Sequence, residues 1–460
     1  MDATTRRLVD YAMGAEFRNL PGEVVHECKR RLIDTLACVV GAYDAPLSQM
    51  TRAVAKRYTG TPSATVLGCS WQTTVEMAAF ANGVMLRYLD MSDMYRGKNS
   101  GHPSDLIAPV LAVADALGAG GAAAINAITL AYDVYCSFCE TIAIKSKGWD
   151  QPVYGVVASA LGAAKLLGLN HEQTAQAVAL ALAPNMALAQ TRRGELSNWK
   201  GCAGANASRN GIFAALLAQE GFTGPSAVFE GKGGLWDVVG PFEWQPAAGG
   251  DIPHRITKTN LKSFPVCYHG QSAVWAALDA RKRFQVSEIS EINVETYRRA
   301  IEEMANDPTR WAPTTHESAD HSLPYAVAVA LLEGEVTAAS FSDENLKDPM
   351  VADLMRKTKV SEDPGLSAQY PAWAPSRLTI RLATGEVVKA EVKSPRGDST
   401  NPMDDKEVEA KFRSMYRGYG DEKQSRTILQ SLWNFDRAQN VRDVLGLFVS
   451  RVNDSSGRND

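Results

Sequence analysis

The densest run of titratable side chains is Asp90-Met91-Ser92-Asp93-Met94-Tyr95-Arg96-Gly97-Lys98-Asn99-Ser100-Gly101-His102-Pro103-Ser104-Asp105. It separates two strongly apolar segments of helical texture, 73–90 and 104–117. Asp90, Asp93, Tyr95, Lys98 and His102 are therefore confined between buried helices, where burial and neighbouring charge tune groups for proton transfer. A helix starting at Pro103 or Ser104, capped by Ser104 or Asp105, would put His102 at its positive end. That position favours a neutral imidazole able to serve as a base or hydrogen-bond partner.

Three further polar insertions stand out. Arg192-Arg193-Gly194-Glu195-Leu196-Ser197-Asn198-Trp199-Lys200-Gly201 follows an apolar helix. It reads as a carboxylate-binding mouth, with Arg supplying bidentate geometry, or as a basic surface loop. Lys262-Ser263-Phe264-Pro265-Val266-Cys267-Tyr268-His269-Gly270-Gln271 marks a change of texture, so Lys262 and His269 fit a cleft role or a structural one. In Glu317-Ser318-Ala319-Asp320-His321-Ser322-Leu323-Pro324-Tyr325 the Asp-His pair is a metal ligand set, a catalytic pair or a cap, with capping favoured. Cys136 and Cys139 form a CxxC in mid-helix with no second pair, which reads as core. No Gly-x-Gly-x-x-Gly follows a strand, no Gly-x-Ser-x-Gly occurs, and histidines and acids lack close metal-ligand spacing. The expectation is chemistry on side chains alone, with no cofactor and no metal.

The elements that must position these groups follow from periodicity. Residues 4–265 are helical in texture, with Ala/Leu/Val-rich segments at 73–90, 104–117, 122–142, 153–167, 172–192 and 205–220. They are apolar nearly all round, which predicts more than one layer of helices. After about 285 the pattern changes: 289–294 reads as a strand, and 377–382 with 387–392 as a hairpin turning at Thr384-Gly385-Glu386. Helical patterns recur at 322–333, 344–357 and 404–451. The expected fold is mainly α, with a large all-helical domain from 1–266 and 397–460 and a smaller α+β lid domain at 267–396.

Composition narrows the function. With 48 Lys+Arg against 52 Asp+Glu in 460 residues, the net charge is −4, so no electrostatic footprint for nucleic acid exists. Seven scattered cysteines make no disulfide framework, and the first residues show no signal-like apolar region. The apolar stretches at 106–135 and 175–190 read as buried helices and not membrane spans, because the first is interrupted by Asp115, Asn126 and Asp133 and the second is short. A cytoplasmic protein without a membrane partner is expected.

Four of these motifs, in order, resemble the MmgE/PrpD family: Asp90-Met91-Ser92-Asp93, Gly101-His102-Pro103-Ser104-Asp105, Ser263-Phe264-Pro265 with Tyr268-His269-Gly270-Gln271-Ser272-Ala273, and Asp320-His321-Ser322-Leu323-Pro324-Tyr325. Its members include 2-methylcitrate dehydratase, cis-aconitate decarboxylase and iminodisuccinate epimerase, and the dehydratase-like branch is most similar. Dehydratase relatives often have Asp-His where this chain has Asp150-Gln151. The decarboxylase has histidines where this chain has Asp150 and Cys267, which points away from that activity. The resemblance implies a homodimer without metal or organic cofactor, acting on a small polycarboxylate. It further implies a site lined by Asp90, His102, Lys200 and Lys262, with Tyr325 contributing from the lid.

Dehydration of such a substrate needs a base, an acid and cations for carboxylates. His102 is expected as the acid/base residue with Asp90 as its partner, and Lys200, Lys262 and Arg192 or Arg193 as cations. Tyr95, Lys98, Asp150, His269 and Tyr325 are secondary catalytic candidates. Asp93, Lys98 and Gln271 join the arginines as candidate substrate contacts.

Overall fold

A computed structural model describes residues 1–247 and 252–450. The expectations for 248–251 and 451–460 lie outside the described residues. The chain is predominantly α-helical with a smaller α+β part. At the centre of the helical part stands Trp199–Gln219, flanked by Val75–Tyr88, Pro152–Leu167 and His171–Leu182. Its apolar and small residues face neighbours on several sides, as the all-round apolar pattern predicts. Gly204 lets this helix approach closely, since a Cβ there would collide with the Asp105 carboxylate. Gly121–Thr141 is long and apolar enough to cross a membrane, but Ala124 to Cys139 are buried inside the protein.

Three helix boundaries differ from expectation. The helix expected over 172–192 stops at Leu182, because Pro184 just beyond its end cannot continue the ladder. A turn at Ala189–Arg192 and an irregular stretch at 193–198 follow. The helix expected from 205 begins at Trp199, which places Lys200 in its first turn. Ser104 and Asp105 do not cap the helix ahead of them. Instead the Asp93 carboxylate accepts from the Ser104 amide at 2.8 Å, with His102 at the cap position.

The helical part also contains a short antiparallel hairpin, β1 (Ser63–Thr65) with β2 (Gln72–Thr74), so it is not wholly helical. In the α+β part, β3 (Ile289–Thr296), β4 (Thr358–Glu362), β5 (Ser376–Leu382) and β6 (Val387–Val392) form a sheet in the order β4-β3-β5-β6. The expected β5–β6 hairpin is present, whereas β4 was not read from sequence. It pairs parallel with β3 at the sheet edge, and only Thr358 of its five residues is buried, which leaves little periodic signal. Alternation buries Ile292, Val294, Leu378, Ile380, Val388 and Ala390 in a common cluster with helices Gln271–Ala280 and Leu323–Glu333. A separate and larger cluster spans helical residues from Leu8 to Leu261 together with Met403 to Phe448.

The helix Asp405–Tyr416 returns to pack on Gly22–Gly41. Its Lys411 is buried, and Nζ donates to Asp34 Oδ1 (2.5 Å) and to the carbonyls of Met91 (2.8 Å) and Lys262 (2.9 Å). One ammonium thus ties together four segments remote in sequence.

Candidate active site

Where the two clusters meet, a crevice of about 70 Å³ opens. His102, Lys145, Asp150, Gln151 and Arg192 line it from the helical part, and Cys267, His269, Arg299, Glu303 and His321 from the other. His102 is its best-defined proton acceptor. Its Nδ1 lies 3.0 Å from the Asp93 carbonyl oxygen, which can only accept, so Nδ1 carries the proton and Nε2 keeps its lone pair. Burial, then the Arg87 and Lys262 cations, hold this imidazole well below its ordinary range despite the opposing Asp90 carboxylate. The neutral state expected from sequence is present, but its causes are burial and these cations.

Behind the crevice lies a buried charge lattice. Asp90 sits at φ 46°, the only non-glycine positive φ among the described residues, a strained geometry that aims both its carbonyl and carboxylate at Lys262. Lys262 Nζ donates to the Asp90 carbonyl (2.6 Å) and Oδ2 (2.9 Å), while Arg87 Nη2 donates to Oδ1 (2.9 Å). Burial opposes ionisation of Asp90, but Lys262, Lys200 and Arg87 outweigh it and keep its carboxyl well below the usual range. Burial raises the neighbouring Asp105 to about 6, with Arg87 Nε 3.3 Å away as its counter-charge.

Lys200, in a helix's first turn, faces the unfavourable end of the dipole for a cation. Asp320 offsets this, accepting from Nζ through both oxygens (2.8 and 2.6 Å). The same carboxylate meets His321 Nδ1 at 2.5 Å. Burial and Lys200 lower His321 to about 4, while His269, against the Tyr297 hydroxyl at 2.8 Å, falls to about 3 through burial.

Asp90, Asp320 and His321 bring ligand atoms within 4.8 Å of one another, the one such grouping among the described residues. Two ammonium groups already sit on these carboxylates, so the local charge disfavours a divalent cation. Of the alternatives for the fourth motif, capping falls to Ser322, which accepts from the Tyr325 amide at 3.1 Å. Asp320 and His321 instead join the charge lattice.

The structure brings His102, Asp150, Arg192 and His269 to the crevice and sets Asp90, Lys200 and Lys262 in the lattice. Other sequence candidates lie elsewhere. The Tyr95 hydroxyl donates to Glu140 inside the helical part. Lys98 is exposed, with Nζ 3.5 Å from the Thr141 carbonyl. Tyr325 is 1% exposed and donates to the Ser340 carbonyl. Gln271 clamps its own turn, accepting from the Ser263 and Phe264 amides and donating to the Phe264 and Val266 carbonyls. Arg193 is exposed and lies outside the crevice lining. Asp93 is buried and supports the Ser104 amide and Tyr132 hydroxyl; its contribution is to orient His102.

Arg192, expected as a free cation, is likewise engaged, its Nε meeting Asp150 Oδ2 at 2.9 Å, and across the crevice Lys145, not expected from sequence, pairs with Glu303. Sequence reasoning missed Lys145, Arg299, Glu303 and Arg87. Arg87 carried a signal, as the one basic residue of the helix Val75–Tyr88.

Family models for the MmgE/PrpD N-terminal domain and the MmgE/PrpD C-terminal domain match residues 6–246 and 264–436. A 2-methylcitrate dehydratase of Salmonella typhimurium is 29% identical over 388 residues, covering 79% of this chain and 78% of that protein. A 2-methylcitrate dehydratase of Cupriavidus necator is 29% identical over 411 residues, 83% of this chain and 82% of that protein. An alkylcitrate dehydratase of a fungal strain is 28% identical over 432 residues, with coverage of 85% and 82%.

Proposed function

The chain belongs to the MmgE/PrpD family, and from that premise we propose that it is a hydro-lyase removing water from a small polycarboxylate of the 2-methylcitrate type. The observation that carries this reading is the neutral His102, its Nδ1 fixed on a carbonyl and its Nε2 free in a crevice beside a buried charge lattice. In the proposed reaction Nε2 takes the proton alpha to a substrate carboxylate, and the electron pair forms the carbon–carbon double bond as hydroxide leaves. The resulting imidazolium, facing Asp90, returns its proton to the departing oxygen so that water is released. Arg192 lines the crevice from the helical side as a cation for a bound carboxylate, and Lys200 and Lys262 lie behind it, paired with Asp320 and Asp90. In this reading the charge stabilisation comes from Arg192 at the crevice and from the hydrogen-bonded lattice behind it, without a metal.

Incubation with 2-methylcitrate and related hydroxy acids, followed by product analysis in deuterated water, tests the reading. An unsaturated acid with loss of water is the expected product. Solvent deuterium in recovered substrate without water loss would replace it with epimerisation, and loss of activity on dialysis against a chelator would refute metal-free chemistry. The expected homodimer is part of the same proposal and is read from light scattering.

A further inference from the structure

Gln151 is 5% exposed and stands at the start of helix Pro152–Leu167, facing the crevice. Its amide orientation is set by a relay. The His102 backbone N–H donates to the Tyr135 hydroxyl at 3.0 Å, and that hydroxyl donates its single proton to Gln151 Oε1. Tyr135 itself is held against the Gly101 backbone, where a Cβ would collide with its hydroxyl. With Oε1 engaged, the two protons of Nε2 are the free end of the side chain, and this buried nitrogen has no hydrogen-bond partner. The adjacent Asp150 is not its acceptor: Oδ2 takes Arg192 Nε and Oδ1 takes the Gln151 backbone N–H at 2.9 Å.

We infer that Gln151 is a substrate-binding residue whose Nε2 donates to a carboxylate oxygen of the bound acid, alongside the lone pair of His102. This deepens the hydro-lyase reading and rests on it for the class of ligand. A buried pure donor selects an acceptor and rejects an ammonium or other donor group at that position. A carboxamide has no titration in the working range, so its contribution is to binding and not to proton transfer.

Calorimetry with the unreactive propane-1,2,3-tricarboxylate, paired with steady-state kinetics, tests this. Gln151→Met, similar in length without the donor, is expected to weaken binding about 10- to 100-fold and to raise KM in parallel, with kcat within about 3-fold. Gln151→Glu adds repulsion and weakens binding further, whereas His102→Asn retains affinity while losing turnover. Tyr135→Phe, which frees the amide to rotate, gives a second and smaller loss should Gln151→Met not fold. Wild-type affinity in Gln151→Met or in Gln151→Glu, or a fall in kcat at unchanged KM, overturns the inference while leaving the hydro-lyase reading intact. Tricarboxylate binding that depends on Gln151 in a protein that dehydrates none of the acids overturns the reaction reading and leaves the residue's role standing.

Discussion

Lowering the pH from 7.5 to 5.5 should destabilise the protein through imidazoles that it keeps neutral. His102, His269, His316 and His321 all lie below their ordinary range, chiefly because they are buried. A histidine depressed in the folded state binds its proton first in the unfolded chain, so stability falls as pH drops through the unfolded value of 6.5. With folded values of about 3 for His269 and about 4 for His321, each costs about 1.3 kcal/mol over this interval. Asp105 works the other way: raised to about 6, it binds a proton in the folded state and returns about 0.8 kcal/mol. Asp90, Asp320 and Glu303 are held below the ordinary carboxylate range and stay ionised in both states across the interval.

These three numerical contributions leave a net loss of about 2 kcal/mol, to which His102 and His316 add with the same sign. Urea unfolding at the two pH values, with a pH-stat recording proton exchange, measures the effect. Unfolding at pH 5.5 should take up about one proton from His269, His321 and Asp105 together, and more once His102 and His316 contribute. His321→Gln should remove that residue's share of the difference. Proton release on unfolding at pH 5.5, or greater stability there than at pH 7.5, would refute the assignment of these imidazoles as neutral.

Three other outcomes are expected. His102→Asn should slow turnover by about two to four powers of ten without unfolding the protein; an unchanged kcat would remove His102 as the base. Lys262→Met leaves the buried Asp90 with Arg87 as its one hydrogen-bonded cation and should cost about 3 kcal/mol in chemical unfolding, part of it recovered by adding Asp90→Asn. Gly204→Ala drives a methyl into the Asp105 carboxylate and should cost about 1–3 kcal/mol, read as a lower melting temperature; an unchanged melt would mean that the two helices separate freely.

The helical architecture and the place of His102 were legible because both are local signals. Apolar residues at helical spacing define the flanking helices, and a polar run trapped between them has few places to go. Ser322 as a cap was readable for the same reason. The pairing of cations was not, because Lys200 and Asp320 lie 120 residues apart and Lys262 and Asp90 lie 172 apart. Nothing in either neighbourhood announces its partner, so lysines that read as free carboxylate binders turn out to be neutralised internally. Tyr95 and Tyr325 failed differently. Each lies in a chemically rich motif, yet helix packing turns its hydroxyl away from the crevice. Edge strand β4 escaped because exposed residues at a sheet margin lack the alternation that betrays a half-buried strand.

The anchorage of Lys411 has a consequence for the order of events during biosynthesis. A ribosome makes Asp34, Met91 and Lys262 well before Lys411, yet that one side chain bridges all three segments. Until it emerges, the carbonyls it binds lack their donor and the Asp90–Lys262 pair lacks its brace. The nascent polypeptide therefore cannot complete its reaction centre as its amino-terminal helices fold, and maturation waits on a late, long-range docking step.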